Sequence, residues 1–87
     1  MQREAFTEAL AKEGFTEFVT VQYEAGAREE HAHPFEAKAL ILAGEIYIRV
    51  GDEERLYKTG DVFHLPANMT HTERYGPQGV TFLAGRK

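Results

Sequence analysis

From Phe15 onward the chain is cut by turn signals at short intervals: Ala25-Gly26, Gly44, Gly51-Asp52, Thr59-Gly60-Asp61, Pro66-Ala67-Asn68 and Gly76-Pro77-Gln78-Gly79. The runs between them are rich in β-branched and aromatic residues, which suit strands and lower helix propensity. Phe18, Val19, Val21 and Tyr23 form the first run, followed by a charged loop. His31 to Ala43 holds the unbroken apolar segment Ala39-Leu40-Ile41-Leu42-Ala43, as expected of a strand covered on both faces, and Gly44 is read as the turn that ends it. Ile46, Ile48 and Val50 alternate with Tyr47 and Arg49, Gly51 to Glu54 is a hairpin connection, and Leu56 to Lys58 returns. Val62 to Leu65, Thr72 to Tyr75 and Val80 to Leu83 complete seven or so short strands. Such a series predicts an all-β antiparallel sandwich or barrel.

One segment departs from this texture. In residues 2–13, Phe6, Ala9, Leu10 and Glu13 fall at helical spacing and Gly14 supplies a C-terminal cap, so one short N-terminal helix is expected, packing its Phe6–Leu10 edge on the sheet. The chain of 87 residues, 43% of them apolar, suits one domain over 1–87, with helix 2–13 and barrel about 15–85. The end, Gly85-Arg86-Lys87, is expected to be loose.

Fourteen acidic against ten basic residues, a net charge of −4, leave no basic footprint for nucleic acid. No run reaches the roughly 18 apolar residues of a membrane span, and the charged start lacks a signal peptide's apolar stretch, so the expectation is no membrane and a cytoplasmic protein. Cysteine is absent, which leaves histidine, carboxylate or water as ligands for any metal.

His31-Ala32-His33 places two imidazoles at i and i+2, the spacing that puts strand side chains on one face, where they can converge on one cation. That pair alone is a weak signal. His71 strengthens it, because it follows a Gly60-Asp61 turn, a short apolar strand and the Pro66 loop. Together these residues resemble the two motifs of the cupin family. The family's first motif runs Gly, five residues, His-x-His, three or four residues, Glu, six residues, Gly; its second runs Gly, five residues, Pro-x-Gly, two residues, His, three residues, Asn. His31, His33 and Gly44 fall at matching spacing, as do Gly60, Pro66 and His71, with fifteen residues between Gly44 and Gly60. The chain departs from the pattern at Gly26, one residue close to His31, at Asn68 for Gly, at Tyr75 for Asn, and at Ala37, where the family has its Glu ligand. Asn68 is a tolerable change, since Asn best follows Gly into left-handed backbone.

The resemblance implies an antiparallel six- to eight-stranded cupin (jelly-roll) barrel, with His31, His33 and His71 holding a divalent transition metal: Fe, Ni, Zn, Cu or Mn. Oxygen-preferring Mg and Ca suit such ligands poorly. With Ala37 in the carboxylate's place, three neutral imidazoles would leave the ion its full charge and favour an anionic or chelating ligand. Two acids stand close enough to support the site: Glu73, at same-face spacing from His71, and Glu36, which faces the other way unless a bulge intervenes. Glu73 is the better of the two, although an acid at a strand end is more often simply solvated. His64 is left out of the site, and Tyr47, Tyr57 and Tyr75 are read as packing residues. By resemblance the chain is a small metal-binding cupin, either an iron-dependent dioxygenase acting on a small chelating substrate or a non-catalytic small-molecule or metal-sensing module. Turnover is not decided by the residues. The expected partners are a small-molecule ligand and a second copy in a homodimer, with Tyr47 and Leu40 or Leu42 as interface residues.

Overall fold

Why the apolar run at 39–41 is buried on both faces is answered by the helix. In this computed structural model, which describes residues 2–87, α1 (Arg3–Lys12) buries Phe6 and Leu10 against Leu40, Leu83 and Phe15 on the outer side of the sheet. Met1, the first residue of the expected domain, lies outside the described residues. The cap forms as read: Phe15 N–H donates to the Leu10 carbonyl and Gly14 N–H to that of Ala11, while Phe15 packs on Leu10. Each of the two helix side chains contributes about 1.5–3 kcal/mol by leaving water. Leu40 is therefore closed off beneath the helix, only 1% exposed, and is unavailable as a dimer contact. Leu42 packs against the same cluster.

Six antiparallel strands follow: β1 (Glu17–Tyr23), β2 (Gly26–His31), β3 (Ala37–Val50), β4 (Glu53–Lys58), β5 (Val62–Leu65) and β6 (His71–Arg86). They pair in the order β1-β6-β3-β4, with β2 also on β6 and β5 also on β3. Two expected turns are instead bends inside long strands. β3 runs through Gly44, and β6 runs through Gly76–Gly79. The register steps from Gly44↔Val80 to Ile46↔Tyr75, one residue intervening on β3 against four on β6, so β6 bulges there. Gly44 and Gly79 both have positive φ, and a Cβ on Gly44 would overlap the Gly79 carbonyl, as one on Gly79 would overlap that of Tyr23. The two glycines mark the fold line because nothing larger fits.

The first half of β3 and the second half of β6 carry β1 and β5, while their other halves carry β2 and β4. Inward residues of both halves form one core, joining Ala39, Ile41, Phe63 and Phe82 to Ile46, Ile48 and Tyr75. This is an open jelly-roll arrangement of six strands, at the low end of the expected six to eight. Residues 26–31, read as a loop, are a strand with an exposed edge, and the strand expected to begin at His31 begins at Ala37. The C-terminal residues are tied down as well: Lys87 N–H donates to the Glu36 carbonyl and Glu36 N–H to that of Lys87.

Candidate metal centre

β2 ends on His31 and β6 begins on His71, and the two residues are direct cross-strand partners. A register shift between Arg28 and His31 turns the strand end inward. His33 stands outside any strand, in the crossing segment to β3, so its convergence owes nothing to strand alternation. The Pro66 loop holds it: Asn68, left-handed at φ +64°, donates its N–H to the His33 carbonyl at 2.7 Å. Phe35 stacks on the His33 ring, centroids 4.9 Å apart.

His31, His33, His71 and Glu73 form a group in which one potential ligand atom from each lies within 4.8 Å of all the others. His71 and Glu73 are 1% and 8% exposed. Glu73 thus replaces the expectation of a site without a carboxylate: although Ala37 occupies the family's Glu position, a carboxylate arrives from β6. Glu36 is not part of the group; its Oε2 lies 2.6 Å from His64 Nε2 at the surface. The signal for Glu73 was the alternation His71-x-Glu73-x-Tyr75, three inward residues in succession. Tyr75 carries more than packing, since its hydroxyl donates to Glu73 Oε1 at 2.9 Å while its ring stacks on Tyr23.

The hydrogen bonds at the far side of each ring fix what faces the group. His31 Nδ1 lies 2.7 Å from the Glu29 carbonyl and His71 Nδ1 3.1 Å from that of Met69. A carbonyl only accepts, so both Nδ1 atoms carry hydrogen and both Nε2 atoms are left to turn a lone pair inward. Yet Glu73 Oε2 lies 2.9 Å from His71 Nε2 and 3.1 Å from His31 Nε2. Three acceptors so close require a cation among them, either a proton on one ring or a metal ion. Without metal the proton falls to His71: its hydrogen bond to Glu73 raises its pKa, against burial, and the Met69 carbonyl adds to the rise. His31 Nε2 is misdirected for a hydrogen bond and is a buried nitrogen with no partner among the described residues.

Three imidazoles and a carboxylate gathered within 4.8 Å of one another are a donor set that suits a divalent transition metal. The same neighbours tune the remaining groups. Burial, then the adjacent His31 and His71, lowers the His33 pKa and keeps that imidazole neutral. Burial pushes the Glu73 carboxyl up, but hydrogen bonds from His71 and Tyr75 outweigh it and hold the group below the usual carboxylate range. Burial, then the charge of Glu73, raises the Tyr75 phenol, which stays protonated as a donor.

The family described as Cupin domain matches residues 17–76. No curated protein matches the sequence. Among solved structures, a cupin-2 domain containing protein from Shewanella frigidimarina is similar with a TM-score of 0.67 at 18% identity, over 77% of this chain and 65% of the other. A putative ethanolamine utilization protein Q from Salmonella typhimurium gives 0.67 at 23%, over 79% of this chain and 55% of the other. Bacillus subtilis oxalate decarboxylase gives 0.70 at 25%, over 80% of this chain and 20% of the other. The chain spans less than two thirds of the length of each. Among the described residues, no helix is long and apolar enough to cross a membrane.

Proposed function

The chain belongs to the cupin family, and from that premise we propose that it binds one divalent transition metal through His31, His33 and His71, with Glu73 as the fourth ligand. The observation that carries this reading is the contact of Glu73 Oε2 with the Nε2 atoms of both His71 and His31, whose Nδ1 hydrogens are committed to carbonyls. A carboxylate beside three imidazoles suits Fe(II) or Mn(II) as well as Zn(II) or Ni(II), and the similar oxalate decarboxylase has Mn(II) centres.

The finer reading is an iron-dependent dioxygenase acting on a small chelating substrate. A bound ion would supply Lewis acidity and one-electron chemistry at positions the four side chains leave open. The chain's own residues hold and orient: Tyr75 fixes one oxygen of Glu73 so that the other faces the imidazoles, and the Glu29 and Met69 carbonyls aim the rings. Phe63 and Phe82 wall part of the space beside the group with hydrocarbon. The same hydrocarbon lining favours a second reading, a metal or small-molecule binding module without turnover. Elemental analysis of purified protein beside His71→Ala tests the metal; equal and negligible metal in both overturns it. Oxygen uptake by iron-loaded protein with small diketones, thiols and catechols separates the two readings, and a flat trace across the panel selects the binding module.

A further inference from the structure

The inner face of β6 ends on a charge. Arg86 continues the inward alternation of Phe82 and Ala84 and lies in register with Ala37 of β3 and Glu17 of β1. Its guanidinium covers the Phe35 ring at 4.6 Å, and Phe35 in turn stacks on His33, so a single ring separates Arg86 from the centre. Glu17 engages it through a single N–H, at 3.3 Å and in the open, which leaves most of its five donors for another acceptor. Between Arg86 and the centre lies a cavity of about 60 Å³ that both His33 and Glu73 line, walled by Phe63, Phe82 and the methyl of Ala37. At about 10–15 Å³ per water, it has room for about four waters or a ligand of about four to six non-hydrogen atoms.

We propose that this cavity binds a short-chain carboxylate whose carboxyl group pairs with Arg86 and whose body extends along the hydrocarbon walls toward the metal. An inward-facing guanidinium at the rim matches a carboxylate in charge and in fork geometry, and a neutral ligand of the same size would leave that match unused. Ala37 is the gate to this space: any larger side chain there projects into it. The orientation of the body toward the metal rests on the metal-binding reading above; the Arg86 contact does not.

Propionate and propionamide, equal in size and differing in charge, are the probes. Metal content is measured on every sample, and binding is followed by isothermal titration and by ligand-detected NMR. Propionate is expected to bind the native protein roughly ten- to hundred-fold more tightly than propionamide. Arg86→Gln is expected to erase that difference and Arg86→Lys to restore part of it. Ala37→Leu is expected to block both ligands, and all three variants keep the native metal content and circular dichroism. Equal propionate affinity in native protein and Arg86→Gln, or undiminished binding in Ala37→Leu, overturns the proposal. Native protein that holds no metal as purified and takes up none on titration, yet still discriminates propionate through Arg86, would instead count against the metal reading alone.

Discussion

Of the histidine–glutamate pairs among the described residues, the two shortest, His64–Glu36 at 2.6 Å and His71–Glu73 at 2.9 Å, have opposite surroundings. The side chains of the first are 43% and 32% exposed, those of the second 1% and 8%. At the surface, water and salt screen the attraction and can replace either partner. In the interior, neither partner can be removed without stranding the other, and two further imidazoles converge on the same carboxylate oxygen or its neighbours. Chemical type and distance therefore do not mark a site. Burial and the number of converging ligands do.

The comparison can be broken most strongly at its histidines. His71→Ala is expected to lower metal affinity by more than about 100-fold, beyond what outer partners of a metal site carry, whereas His64→Ala leaves metal content unchanged; elemental analysis of both variants measures the contrast. Tyr75→Phe comes next. It removes the donor to Glu73 Oε1 and is expected to weaken metal binding about 10-fold. In metal-free protein, where that oxygen is left without a partner, the same change costs about 1–3 kcal/mol in denaturant unfolding. Unaltered binding and stability in this variant would reduce Tyr75 to packing.

Acidity sharpens the same contrast. Metal must displace the proton on His71, whose pKa stands above its ordinary 6.5, so affinity is expected to fall as the pH drops, starting above pH 6.5 and losing about ten-fold per pH unit for each proton displaced. In metal-free protein the His71 contribution to stability is full below 6.5 and is lost as the pH rises through the raised value. Glu73, held below its ordinary 4.5, contributes above 4.5 and loses its contribution as the pH falls through the lowered value. The pair is thus expected to contribute most between about pH 4.5 and 6.5, while His33, lowered by burial, opposes it on the acid side of 6.5. Calorimetric titration at several pH values reads the first effect and thermal melts of metal-free protein the second. The smallest effect belongs to the surface: Glu36→Gln is expected to shift neither metal affinity nor the melting midpoint beyond error.

Much of this was legible in the sequence. The resemblance carried by His31, His33, His71 and their flanking glycines pointed to three imidazoles that the structure brings together, although not by strand alternation at His33, and Phe6, Leu10 and Gly14 announced a helix whose edge meets the sheet. The misreadings have physical causes. Gly44 and Gly76–Gly79 look like turns because glycine marks turns and bends alike, and only the close approach of Gly44 to Gly79 distinguishes a folded strand from a hairpin. β2 reads as a loop because its residues are exposed on both faces until His31, so no alternation survives. Glu73 reads as no more than a supporting acid because an acid near a strand end is ordinarily solvated; its burial beside residues of the opposite half of the sheet depends on the bends in β3 and β6.

The most direct test of the account is metal titration of native protein and Glu73→Gln, followed by calorimetry and by the d–d spectrum with Co(II). A single site per chain is expected in the native protein. The near-isosteric Gln should weaken it by about 100-fold or more and change the spectrum, since a charged oxygen ligand becomes a neutral amide. Indistinguishable affinity and spectra in the two proteins would contradict the claim that Glu73 completes the centre in place of the carboxylate missing at Ala37.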